Sequence, residues 1–204
     1  MSHGHPLEEV QYESSPYAAR IRAIEALLLE KGVLTEAEVQ DRISYMEARS
    51  PANGAMLVAR AWVDPEFKAR LLSDPKAAAG ELGIDASAPV GFVVVENTPQ
   101  VHNLIVCTLC SCYPRAILGR PPDWYKSFDY RSRAVREPRA VLREFGFEPP
   151  EDVEVVVHDS TADMRYMVLP MRPSGTEGMS EEELSRLVTR DALVGVSIPR
   201  YEGS

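Results

Sequence analysis

A chain of 204 residues, 45% of them hydrophobic and 26% charged, has the composition of a soluble globular protein with one core and room for an appended segment. Its 31 acidic residues outnumber 22 basic ones for a formal net charge of -9, which argues against nucleic acid or an anionic membrane as partner. The polar start Met1-Ser2-His3-Gly4-His5 resembles neither a signal peptide nor a spanning helix, so the expected location is the cytoplasm, where thiols stay reduced or bind metal.

Residues 1–14 are polar and read as an arm that is disordered alone or lies on a partner. Ser15-Pro16 starts a first helix, with Tyr17, Ile21, Ile24 and Leu28 at helical spacing and Gly32 as its stop. Thr35 and Glu38 form a capping box for a second helix through Val39, Ile43 and Met46. Both helices carry a narrow apolar stripe, too thin to hold a core, and are expected to pack on another chain. Ser50-Pro51-Ala52-Asn53-Gly54 reads as a break, followed by a short helix over residues 56–62. Asp64-Pro65 and Asp74-Pro75 cap two more, the last ending near Gly83. After Pro89 the pattern turns to β-branched runs at residues 92–95, 104–106, 153–157 and 164–169, with short helical pieces around 123–125 and 138–145. Ser180 and Glu183 form a further capping box, and an apolar stretch over 193–198 closes the chain. The expected class is α+β: a helical N-terminal part over residues 1–85 and a mixed domain over 86–204.

All three cysteines fall in one loop, Cys107-Thr108-Leu109-Cys110-Ser111-Cys112, between the apolar run Leu104-Ile105-Val106 and Tyr113-Pro114. Cores do not use cysteine this way, and an odd count in so tight a cluster argues against a disulfide framework. A structural zinc site would need His102 or His158 as fourth ligand, iron–sulfur clusters use other spacings, and Cys112 crowds a Cys107/Cys110 redox pair. The spacing itself offers another use. A metal on the sulfur and nitrogen of Cys112 closes a five-membered ring, and one on the Cys110 sulfur and the Ser111 nitrogen a six-membered ring. Cys107 then rises as an axial thiolate and one position stays open, a Lewis-acid site. Amide nitrogens ionise only for a strongly polarising metal, which favours trivalent iron or cobalt over zinc.

This motif resembles the metal-binding motif of nitrile hydratase alpha subunits. The likeness runs over residues 15–198 and includes Ala61-Trp62-Val63-Asp64-Pro65-Glu66-Phe67, Pro121-Pro122-Asp123-Trp124-Tyr125-Lys126 and Tyr130-Arg131-Ser132-Arg133. It continues through Val135-Arg136-Glu137-Pro138-Arg139 and Leu169-Pro170-Met171-Arg172-Pro173-Ser174-Gly175-Thr176-Glu177-Gly178. The resemblance implies hydration of nitriles to amides, with Cys107, Cys110, Ser111 and Cys112 as metal residues and Cys110, Ser111 and Cys112 as catalytic ones. It implies a sulfinate at Cys110 and a sulfenate at Cys112. Thr108 and Tyr113 resemble the cobalt branch, so non-corrin Co(III) is expected rather than Fe(III).

The family also implies a four-layered α-β-β-α domain behind a helical arm, and a beta subunit whose arginines guard the oxidised sulfurs, with an α2β2 assembly as the expected form. A cobalt-loading activator protein is a further implied partner. Arg165 and Arg172 are read as structural ion-pair residues that bridge subunits, with a contribution to the site as the alternative. Trp124, Tyr125 and Tyr130 are read as interface packing rather than pocket lining, and His102 and His158 as structural. Two rival readings are a thiocyanate hydrolase gamma-type subunit, which shares the Cys-Tyr-Pro-Arg sequence found at residues 112–115, and a structural zinc-binding subunit without chemistry.

Overall fold

The computed structural model describes residues 16–201, so Ser15, His3, His5 and the arm expected over residues 1–14 lie outside the described residues. Each β-branched run becomes a strand: β1 (Gly91–Glu96), β2 (Val101–Val106), β3 (Glu154–Asp159) and β4 (Met164–Leu169). β1 pairs with β4 and β2 with β3, both in parallel, so the first and last strands form one two-stranded sheet and the middle two form the other. Leu104, Ile105 and Val106 are buried, as the continuous apolar run of a covered parallel strand requires. Each such side chain contributes about 1.5–3 kcal/mol by leaving water.

Asn97 and Asn103 hold the crossing between the sheets. The Asn97 N–H still donates to the Leu169 carbonyl of β4 (2.9 Å), while its Oδ1 accepts from the Asn103 N–H of β2 (2.8 Å). Asn103 Nδ2 donates back to the Glu96 carbonyl (2.8 Å), and His158 Nε2 of β3 donates to Asn103 Oδ1 (2.8 Å). His102 Nε2 donates to the Gly195 carbonyl (2.7 Å), which leaves Nδ1 to accept from Asn97 Nδ2 (3.2 Å). Both histidines are therefore structural and neutral, and burial holds their pKa values below the usual imidazole value.

The chain divides into two units, Met1–Ala48 and Arg49–Ser204. In the first, α1 (Pro16–Glu30) and α2 (Glu36–Glu47) form as their spacing predicts, and the Thr35–Glu38 capping box closes. No residue of either helix is buried. In the second, α3 (Pro51–Val63), α4 (Pro65–Ser73) and α5 (Pro75–Glu81) each start on a proline. Asp64 accepts from the Phe67 N–H (2.9 Å) and Asp74 from the Ala77 N–H (3.1 Å), capping α4 and α5. These two helices lie beside β1, and α3 beside α10 (Glu181–Leu187), so residue 85 falls inside the second unit. Among the described residues no helix is long and apolar enough to cross a membrane.

One expected break is absent. Residues 51–54 belong to α3, whose first turn tolerates Pro51, and Gly54 is a packing residue rather than a turn residue. A Cβ there would sit 2.5 Å from Leu118 Cδ2 of α6 (Arg115–Leu118) and 2.8 Å from Leu193 Cδ1 of α11 (Arg190–Val194). The remaining helices, α7 (Asp123–Lys126), α8 (Phe128–Arg136) and α9 (Pro138–Glu144), follow the cysteine loop.

Gly195 ends α11 with φ +89°, and an added Cβ would overlap the Asn103 carbonyl oxygen. Gly195→Ala is expected to cost about 2–5 kcal/mol in thermal or denaturant unfolding. Gly80→Ala, on α5 with open space around it, is expected to be neutral or to gain about 0.5–1 kcal/mol.

The depressed pKa of His102 fixes a second expectation. Below the ordinary value of 6.5 the unfolded chain takes up a proton that the folded one resists, so stability is present above that pH and falls as acid is added. Unfolding midpoints measured from pH 7 to 5 should drop less steeply in His102→Gln than in the parent chain.

Candidate metal centre

β2 runs buried to Val106, and the next residue, Cys107, is itself buried. The chain then leaves the strand and returns to the core at Tyr113, which places Cys110 at the surface and Cys112 between the two extremes. Cys107 Sγ lies 3.4 Å from Cys110 Sγ, and Cys110 Sγ lies 3.1 Å from Cys112 Sγ. All three sulfurs fall within 4.8 Å of one another, and among the described residues they form the one group of three or more metal-ligating side chains so placed.

Neighbouring elements tie the loop's backbone residue by residue. The register of β2 on β3 sets Asp159 opposite Val106, and Asp159 accepts from the Thr108 N–H (2.9 Å) and the Thr108 hydroxyl (2.6 Å). The Ser160 N–H donates to the Val106 carbonyl (2.7 Å), and the Cys110 N–H to Cys107 Sγ (3.3 Å). From α8, the Tyr130 hydroxyl donates to the Ile105 carbonyl (2.6 Å) and Arg131 Nη1 to the Cys110 carbonyl (2.9 Å). From α7, the Tyr125 hydroxyl donates to the Cys112 carbonyl (2.8 Å).

Hydrogen bonds from the Cys112 and Cys107 thiols bring the Cys110 thiol down to about 7, and the backbone N–H groups of Cys112 and Ser111 add to the effect. Burial, followed by the neighbouring sulfurs, pushes Cys112 up to about 12. Three gathered thiols, with the Ser111 and Cys112 nitrogens on the same short loop, are a donor set that fits a metal ion of the kind the spacing suggests.

Trp124, Tyr125 and Tyr130 are not interface residues: all three are buried inside this chain. Tyr125 meets Tyr113 edge to face at 5.1 Å, and Trp124 meets Tyr130 and Phe145 at 4.8 Å each, forming an aromatic block next to the loop. Burial raises the hydroxyl pKa values of Tyr113, Tyr125 and Tyr130. Within this chain Arg165 and Arg172 form no ion pair among the described residues, and both donate to neighbouring oxygens instead. Arg172 donates to the Thr176 hydroxyl (2.9 Å), the Thr176 carbonyl and the Trp62 carbonyl (3.3 Å). Arg165 donates to the Thr161 and Met164 carbonyls, and it lies close enough to Cys112 for its charge to favour the thiolate. His102 and His158 are engaged elsewhere and do not join the sulfurs.

Comparison with known proteins shows the family to which the chain belongs. The family model described as nitrile hydratase, alpha chain, matches residues 15–197. The chain is 54% identical to the low-molecular weight cobalt-containing nitrile hydratase subunit alpha of Rhodococcus rhodochrous, over 89% of this chain and 88% of that one. A structure of an Fe-type nitrile hydratase double mutant from Comamonas testosteroni matches with TM-score 0.83 and 48% identity, covering 90% of each chain. A recombinant thiocyanate hydrolase with partially modified cobalt centres matches with TM-score 0.84 and 39% identity, covering 92% of each.

Asp159→Ala removes both acceptors that hold Thr108. It is expected to lower metal uptake by about 10- to 100-fold, read as metal per chain by elemental analysis, with the circular dichroism spectrum unchanged.

Proposed function

Because the chain belongs to the nitrile hydratase alpha-chain family, we propose that it is the metal-bearing subunit of an enzyme that hydrates nitriles to amides. The observation that carries the proposal is the gathering of the Cys107, Cys110 and Cys112 sulfurs within 4.8 Å of one another on one short loop. The three sulfurs and those two nitrogens would hold one low-spin, non-corrin Co(III). The cobalt relative, Thr108 and Tyr113 support cobalt, while the Fe-type structure at 48% identity keeps iron as the competing ion.

A trivalent cobalt bound there supplies Lewis acidity toward a nitrile nitrogen. The chain's own residues do the rest. Cys110 as sulfinate and Cys112 as sulfenate carry the oxygens of the site. The Cys112 oxygen takes a proton from the water that attacks the nitrile carbon, or attacks that carbon itself and is then displaced from it by water, which restores the sulfenate. Water adds across the triple bond, its oxygen going to carbon and its protons to nitrogen, and the amide leaves. The buried aromatic block of Tyr113, Trp124, Tyr125 and Tyr130 backs the loop and excludes water from that side.

The active form is the complex with a beta subunit, assembled as α2β2 in the cytoplasm after cobalt loading by an activator protein. The N-terminal helical part within residues 1–85 packs on that partner, which the exposed Tyr17, Ile21 and Ile24 of α1 support. Residues 86–204 form the catalytic domain. The second reading, thiocyanate hydrolysis, is favoured by Cys112-Tyr113-Pro114-Arg115 and by the thiocyanate hydrolase structure.

Assay of the purified complex on acrylonitrile and on thiocyanate separates the two, and turnover of acrylonitrile is expected. Cys112→Ser is expected to abolish that turnover with metal still bound, and parent rates in this variant would contradict the assignment.

A further inference from the structure

Of the three arginines on α8, Arg131 and Arg133 stand in opposite electrostatic settings. Arg133 is surrounded by carboxylates: Asp129 (3.2 Å), Glu137 (2.8 Å) and Glu144. These three hold its guanidinium in the charged form. Arg131 pairs with no carboxylate among the described residues. Its Nη1 donates to the Cys110 carbonyl oxygen at 2.9 Å, and its Nε is buried without a partner. The positive charge of Arg131 is thus spent on one peptide oxygen of the cysteine loop.

That oxygen belongs to the same peptide group as the Ser111 nitrogen. A peptide that binds a metal through nitrogen releases its N–H proton to solvent, and the negative charge left behind is shared between nitrogen and oxygen. A guanidinium on the oxygen therefore favours the nitrogen-bound form over the free peptide, and a charge-assisted hydrogen bond is roughly twice as strong as a neutral one. Tyr125 does not do the same work, because its acceptor, the Cys112 carbonyl, belongs to the peptide of the Tyr113 nitrogen.

We infer that Arg131 is a positioning residue for the Ser111 nitrogen ligand, orienting the Cys110–Ser111 peptide and compensating its charge from outside the sulfur cluster. The inference rests on the proposed ligation by Ser111. It assigns this chain its own arginine at the centre, distinct from any that a partner supplies.

The test compares Arg131→Lys, Arg131→Gln and Arg131→Met in the full complex produced in limiting cobalt. Three properties are measured: cobalt per complex, the visible absorption that thiolate ligation gives, and thermal unfolding. Lys keeps a charge near the oxygen and is expected to retain cobalt and the absorption band. Gln keeps a neutral donor and Met none; both are expected to lose cobalt by about 10-fold or more and to shift the band, with unfolding unchanged. Should Arg131→Met fail to accumulate, the Lys and Gln pair decides. Parent-like cobalt and absorption in Arg131→Gln would overturn the inference, since a neutral tether would then suffice. Loss in Arg131→Lys equal to that in Arg131→Gln would overturn it as well, because charge would not be the operative property. A parent complex without cobalt would overturn the metal assignment itself, a result distinguishable from either.

Discussion

The pairing of β2 with β3 sets where the cysteine loop begins. Because Val106 faces Asp159 in that parallel register, a carboxylate stands at the point where the chain leaves the sheet. It takes both the N–H and the hydroxyl of Thr108, so the loop departs in one direction only. A slip of one residue would turn the buried run Leu104-Ile105-Val106 to the other face and carry Asp159 away from Thr108. The buried strand is thus both an anchor for Cys107 and the reference from which the other two sulfurs are placed.

The sheets themselves depend on a polar crossing in the core. Asn97, His102, Asn103 and His158 are satisfied by one another and by the Glu96 and Gly195 carbonyls. Such a network fixes geometry tightly because leaving any member unpaired in the interior costs about 1–3 kcal/mol. From the other side, α7 and α8 press an aromatic block against the loop, reach its carbonyls with Tyr125 and Arg131, and hold the Ile105 carbonyl of β2 with Tyr130. Four hydrogen bonds, two to Asp159 and one each from Arg131 and Tyr125, therefore hold a segment that has no regular secondary structure of its own. Preorganisation of this kind is what a site with main-chain nitrogen donors needs, since the backbone is itself part of the donor set.

The strands and the sulfur cluster were legible in the sequence, and their partners were not. β-branched runs between Gly, Pro and Asn signals marked all four strands, and proline after aspartate marked α4 and α5. Cys-Ser-Cys spacing pointed to a shared metal without any coordinates. What spacing cannot carry is register: Asp159 lies far from Thr108 in sequence, and only strand pairing brings them together. Arg131 and Tyr125 look like ordinary residues of short amphipathic helices, and nothing local reveals that their donors end on loop carbonyls. Gly54 misled for a related reason. A glycine after proline and asparagine reads as a turn, while its actual role is to let α3 approach Leu118 and Leu193. The aromatic residues misled in the opposite direction, since side chains of that size serve a partner surface and a chain's own core equally well.

The central claim is that this loop is a cobalt centre completed by oxidised cysteines. Elemental analysis of the purified complex, joined to peptide mass spectrometry across residues 107–112, tests it most directly. The account predicts about one cobalt per chain, with two added oxygen atoms on Cys110 and one on Cys112. Stoichiometric zinc with three unmodified thiols would contradict it.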